Sequence, residues 1–180
     1  MFRADGQFRR GAGRLLLAAA VLALAGGCGR SSPAAPPKTV SDGFTIRVDG
    51  QPVRLQIALS EAEMMRGLMG RRDLAPDQGM LFVYPAPQAL SFWMRDTPLP
   101  LDLGYFSPAG ELAEVHALYP FDETPVRSRG ERLQFALEMN QGAFRALGIR
   151  PGARLDLADL RAALAARGAA AEDYGLAPAP

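Results

Sequence analysis

The stretch MLFVYPAPQALSFWMRDTPLPLDLGYF, residues 80–106, decides the fold of this 180-residue chain. Residues 80–84 form a continuous apolar run, which predicts a buried strand. Prolines then interrupt the chain, and two further strand-length segments follow at residues 89–94 and 101–106. Short apolar segments separated by turn residues are typical of a β-rich domain.

The same pattern continues on both sides of this stretch. Apolar and polar residues alternate in four further segments, which predict strands at 44–48, 53–57, 111–118 and 133–139, and a last strand is expected at 154–157. We therefore predict an α+β, β-rich fold of about seven short strands with short inserted helices. Closure of the strands into a small barrel, closed or partly open, would hide their edges.

Three short helices are expected between and after the strands. Ser60 followed by Glu63 forms a capping box, which predicts a helix that ends at Gly67 or Gly70. Asn140 is a candidate cap for a second helix that runs to residue 147. A terminal helix is predicted at 158–168, because apolar residues there recur at helical spacing.

The N-terminal segment has the layout of a secretory signal peptide. Residues 15–25 are uncharged and too few to span a bilayer, which takes about 20 apolar residues. A positive region precedes them, made of Arg3, Arg9, Arg10 and Arg14. Small residues then lead into Cys28, the only cysteine, and this arrangement resembles the bacterial lipoprotein signal. That resemblance implies cleavage before Cys28, lipidation of its thiol and a cell-envelope location facing the periplasm. Gly29, in place of aspartate, favours the outer membrane.

The predicted organisation has five parts. They are a signal peptide at 1–27, a flexible Pro/Ser/Ala-rich tether at 28–43, a folded domain at 44–157, the terminal helix at 158–168 and a disordered tail at 169–180. Removal of the signal takes away four arginines and one aspartate and leaves 16 basic and 18 acidic residues. This near-neutral balance argues against nucleic-acid binding and against polybasic docking on lipid.

A multi-part motif runs through the predicted domain. Its segments are RGLMGR at 66–71, Leu74, GMLF at 79–82, SFWM at 91–94, Thr97, PLD at 100–102, LEMNQG at 137–142 and LGIRPG at 147–152. Together they resemble the signature of the family called domain of unknown function 192. The resemblance implies a β-rich fold and a small prokaryotic protein that is often exported or membrane-tethered. It implies no assigned activity.

No catalytic or metal site is predicted. His116 is the only histidine, no Gly-x-Ser-x-Gly elbow is present, and the domain contains no cysteine, so a structural role is expected for His116. An alternative is an envelope hydrolase that uses Asp102, Glu138 or His116. The six methionines after the signal are interpreted as core residues, with a Met-based copper-binding protein as a further alternative. No cofactor is expected.

The remaining polar residues suggest a ligand site. Asp102 and Glu138 each lie inside an apolar strand, and Trp93 is the only tryptophan, within a segment of charged residues and prolines. An aromatic wall with a few convergent polar groups is typical of ligand pockets. We predict non-catalytic binding of a small ligand or an envelope partner, with the loop 119–132 near the mouth of the site. The candidate residues are Arg66, Trp93, Asp102, Glu138 and Asn140.

Overall fold

The structure is a computed structural model that describes residues 36–177. The predicted signal peptide, Cys28 and residues 29–35 of the predicted tether lie outside this range. The strands of the described part are β1 (Phe44–Val48), β2 (Gln51–Ala58), β3 (Gln78–Gln88), β4 (Ser91–Phe92), β5 (Leu101–Phe106), β6 (Leu112–Leu118), β7 (Val126–Arg127) and β8 (Leu133–Asn140). The helices are α1 (Glu61–Arg66), α2 (Ala143–Ala146), α3 (Leu157–Ala166) and a 3₁₀ helix (Ala171–Tyr174).

Six strands form one mixed sheet in the order β1-β2-β3-β8-β5-β6. The β2–β3 pair is parallel and the other four pairs are antiparallel. The short strands β4 and β7 form a separate two-stranded sheet. The predicted β-rich α+β fold is confirmed.

The described strands do not close into a barrel, so the closed form of the predicted barrel is wrong. The strand predicted at residues 154–157 forms only two isolated bridges, one from Leu155 to Val48 and one from Arg154 to Glu111. Asp156 already caps α3, since its side chain accepts hydrogen bonds from two backbone N–H groups of that helix. Only two extended residues are therefore left to join the edges of the sheet, which is too short for a closing strand.

The sheet carries an apolar cluster on each face, because successive residues of a strand point to opposite faces. One cluster contains Leu81, Leu137 and Met139 and is covered by α2 and α3. The other contains Phe82 and further residues of β3, β5 and β8, together with Leu68, Leu90 and Met94 from the connections. The candidate site lies on this second face.

The capping box that begins α1 is confirmed. The Ser60 hydroxyl accepts a hydrogen bond from the Glu63 N–H, and the Glu63 carboxylate accepts one from the Ser60 N–H. The short helix predicted up to residue 147 is present as α2, but the predicted cap is wrong, because the N-cap is Gly142 and Asn140 is the last residue of β8. Asn140 pairs with Leu101 and so continues strand β8, and this pairing overrides its local preference for a helix cap.

Both ends of the described part are more ordered than the sequence predicts. Near the end of the predicted tether, the Lys38 N–H donates to the Ala166 carbonyl at 2.9 Å, and Val40 packs against the second cluster. In the predicted tail, the 3₁₀ helix precedes Leu176, which is buried. The apolar side chains of Val40 and Leu176 pack against the clusters on the two faces of the sheet. In residues 36–177, no helix is long and apolar enough to cross a membrane.

Candidate functional site

A cavity of about 580 Å³ opens on the second face of the sheet. Its walls come from α1 and the turn after it, from β3, and from the small β4–β7 sheet, with Glu138 of β8 among the lining residues. The aromatic side chains that line it are Phe82, Tyr84, Phe92 and Trp93, and the methionines are Met64, Met65 and Met69. The volume lies in the range of small-molecule sites, about 300–1,000 Å³.

The wall formed by α1 is held from the far end of the chain. The Arg167 guanidinium donates to Glu63 Oε1 at 2.6 Å and to the Ile57 carbonyl at 2.8 Å. Burial alone would raise the pKa of Glu63, but hydrogen bonds from Leu59, Ser60 and Arg167 outweigh it and lower the pKa below its usual value. The Glu63–Arg167 pair therefore joins the start of α1 to the segment after α3, and Arg167 also bonds to β2 through Ile57.

The aromatic wall is a packed cluster. The Phe82 and Phe92 rings meet edge to face with centroids 4.9 Å apart, and the Phe92 and Tyr105 centroids lie 5.8 Å apart. The Tyr105 hydroxyl donates to the Val126 carbonyl at 2.7 Å, which ties β7 to the sheet. These contacts place the small β4–β7 sheet over the large one and leave the cavity between them and α1.

Glu138 is a buried carboxyl group that faces the cavity. Its residue is 4% exposed, and its neighbours in the sheet are Met80 and Leu103. Within residues 36–177, no hydrogen bond or ion pair engages its carboxylate oxygens. Burial raises the pKa of Glu138 to about 8, because the charged form loses its hydration there. Burial, together with the charge of Glu138, raises the pKa of the nearby Tyr84 to about 12.

Three of the five predicted site residues come together in the structure. Arg66, Trp93 and Glu138 line the same cavity. Asp102 does not: it accepts a hydrogen bond from the Gly142 N–H at 2.7 Å and holds the start of α2. Because Asp102 is opposite Met139 in the sheet, it points away from the face that carries Glu138.

Asn140 also has a structural role. Its side-chain amide donates to the Leu74 and Ala75 carbonyls at 2.7 and 3.1 Å and ties β8 to the loop before β3. The predicted loop at 119–132 does reach the cavity, since Pro125 and Arg127 lie in its lining. The loop contains the short strand β7 that the sequence did not predict.

His116 is engaged by a neighbouring carboxylate. Its Nε2 lies 2.8 Å from Glu114 Oε2, and its ring packs edge to face on Tyr105. Burial would raise the pKa of Glu114, but the contact with His116 and hydrogen bonds from Gly130 and Arg129 lower it. Glu114 therefore organises the loop before β8, and His116 supports it.

The sequence did not identify several residues of the cavity. Phe82 and Tyr84 were assigned to a buried strand, but their spacing of two residues puts both on the face of Glu138. The interpretation of all six methionines as core holds for Met80, Met94 and Met139, which are buried. It is wrong for Met65, which is 52% exposed, whereas Met64 packs against the second cluster; these two and Met69 also line the cavity. In the described part of the chain, no three His, Cys, Asp or Glu residues are grouped to hold a metal ion.

The family comparison agrees with the motif found in the sequence. The model of domain of unknown function 192 (DUF192), described as "Uncharacterized ACR", matches residues 44–157. The chain belongs to the DUF192 family. No curated protein matches it. The matched range contains all eight strands and every residue that lines the cavity, and the family model assigns them no activity.

Two crystal structures are similar to this DUF192 protein. The first, from Sinorhizobium meliloti 1021 and provisionally called a transcription regulator, is 31% identical and has a TM-score of 0.62. The match covers 66% of this chain and 96% of that one. The second, from Novosphingobium aromaticivorans DSM 12444 and of unknown function, is 33% identical, with a TM-score of 0.59 and coverage of 68% and 94%.

Proposed function

We propose that this DUF192 domain binds a small, largely apolar ligand in the cavity and catalyses no reaction on it. The observation that carries the proposal is a cavity of about 580 Å³ with aromatic and methionine walls and one buried carboxyl group, Glu138. Apolar walls with a few convergent polar groups are the usual composition of ligand sites. Methionine side chains add a surface that adapts to ligands of different shape.

The geometry favours binding over hydrolysis. A carboxylate pair that acts as acid and base must flank one substrate bond, with separations of about 5–9.5 Å in glycosidases. Asp102 and Glu138 point to opposite faces of the sheet and cannot flank one substrate. His116 is opposite Leu103, so one whole strand separates it from Glu138, and Glu114 occupies its Nε2. None of these residues supplies a nucleophile with a positioned base.

The test of binding is a titration with a neutral apolar dye, N-phenyl-1-naphthylamine, followed by fluorescence. We expect saturable binding to the purified protein. Met65→Glu places a charge in the cavity wall and should weaken dye binding at least about fivefold. Tyr119→Glu is the matched control, because Tyr119 is similarly exposed but lies outside the cavity lining. Equal dye affinity in the two variants would place the dye elsewhere and contradict the proposal.

We also propose that the domain is held at the cell envelope by lipid on Cys28 and faces the periplasm. The support is the sequence alone: a charged start, an uncharged run at 15–25 and small residues before a single cysteine. Acyl chains anchor firmly when two or more are present, because each buried CH₂ contributes about 0.8 kcal/mol. Cys28→Ser should therefore leave the membrane fraction or accumulate unprocessed. A variant that still sediments with membranes at its processed size would refute the anchor.

A further inference from the structure

We infer that the ligand of this cavity is an organic cation, an ammonium group on an apolar body, and that the Glu138 carboxylate receives its charge. The inference rests on the proposed function and adds the chemical class of the ligand to it. Two independent features of the cavity support it: a buried acid without a partner, and an aromatic wall.

Glu138 differs from the other buried acids of the described part. Asp102 accepts a hydrogen bond from the Gly142 N–H, and Glu114 is in contact with His116. Within residues 36–177, Glu138 has no such partner, although it is 4% exposed and lines the cavity. In residues 36–177, Arg167 Nε is the one fully enclosed side-chain polar atom without a hydrogen-bond partner, so the Glu138 oxygens are open to the cavity and can be reached by a ligand. A cation in the cavity would supply the partner that the chain does not.

The aromatic wall suits the same kind of ligand. The faces of aromatic rings carry partial negative charge and attract cations within about 6 Å. One ring of the wall already does so, because the Arg95 guanidinium lies 4.3 Å from the Trp93 ring centroid. Phe82 and Phe92, packed edge to face, and the methionines of α1 would contact the apolar body of the ligand.

Glu138 is the cavity group whose pKa burial raises into the neutral range. The other titratable side chains on the cavity walls and the neighbouring strands are Tyr84, Tyr105, Arg66, Arg127 and Glu61. On the same face but one strand further away, His116 and Glu114 are paired with each other at 2.8 Å. Burial raises the pKa of both tyrosines, so they stay neutral below pH 9. Arg66, Arg127 and Glu61 are exposed at the rim, where water and salt screen their charges.

A cation requires the ionised form of Glu138, and this gives the binding a pH dependence. Below pH 8 the free carboxyl group is mostly protonated and must lose its proton before it can pair with a cation. This requirement lowers the observed affinity for the cation by about tenfold for each pH unit below the pKa of Glu138. The affinity for a ligand of fixed charge should therefore rise with pH, by up to about 100-fold between pH 6 and pH 9, and level off above pH 8.

The experiment compares benzyltrimethylammonium, whose charge does not depend on pH, with neopentylbenzene, its neutral carbon isostere. Each compound displaces the bound N-phenyl-1-naphthylamine from the wild type, from Glu138→Gln and from the control Glu131→Gln at pH 6 to 9, because Glu131 is an exposed acid outside the cavity lining. We expect the wild type and Glu131→Gln to prefer the cation more strongly as pH rises. Glu138→Gln keeps the volume and removes the charge, so both the preference and the pH dependence should disappear while the dye still binds.

The outcomes separate the two proposals. If the dye binds but the cation and its isostere displace it equally at pH 8, the ligand class is wrong and the apolar cavity stands. A pH dependence that persists in Glu138→Gln, with a folded protein by circular dichroism, would also refute the role of Glu138. If the wild type binds neither the dye nor either compound at millimolar concentration, the proposed function fails as well.

Discussion

Replacing Glu138 with glutamine should stabilise the protein at neutral pH. In the folded state the pKa of Glu138 is about 8, whereas a glutamate ordinarily has a pKa of 4.5. Between these values the folded state binds a proton that the unfolded chain does not, so stability falls as pH rises. Since pH 7 lies about 2.5 pH units above the ordinary pKa and each unit corresponds to about 1.4 kcal/mol, the loss at pH 7 is about 3 kcal/mol.

Glutamine matches the neutral acid in size and polarity and has no charge to suppress. The difference in free energy of unfolding between Glu138→Gln and the wild type should be close to zero at pH 4.5. It should grow to about 3 kcal/mol at pH 7, which corresponds to a rise in Tm of roughly 10 °C, and level off above pH 8. Urea denaturation at several pH values measures it. A variant that is less stable than the wild type at pH 7 would show that the folded state holds Glu138 ionised and paired, which refutes the reasoning.

Three further predictions concern the supports of the site. Met80→Leu and Met94→Leu conserve volume in the buried cluster and should each cost less than about 1.5 kcal/mol in urea denaturation. Asp102→Asn should lower the free energy of unfolding by about 1 kcal/mol and leave dye affinity unchanged. A loss of dye affinity at unchanged stability would show that Asp102 contributes to the ligand site. Glu63→Gln weakens the contact with Arg167 and should cost about 2 kcal/mol at pH 6. Because the folded pKa of Glu63 is lowered, that difference should disappear as pH falls below 4, and one that persists in acid would contradict the assignment.

The strand segments and the family were predictable because their signals are local or linear. Alternation at 44–48 and 133–139 and the capping box of Ser60 and Glu63 appear in the structure as predicted. The family motif also reads directly along the chain. The cap assigned to Asn140 failed, because pairing with a strand distant in sequence overrode the local preference.

The sequence by itself determined that a carboxyl group stands inside an apolar strand at Glu138 and that another stands at Asp102. Only the tertiary structure decided that the first faces a cavity and the second caps α2. The physical reason is register: the two strands pair with Asp102 opposite Met139, and a shift of one residue would exchange the faces. The aromatic wall and the raised pKa of Glu138 have the same origin, since both depend on which distant segments the pairing of strands brings over that face of the sheet.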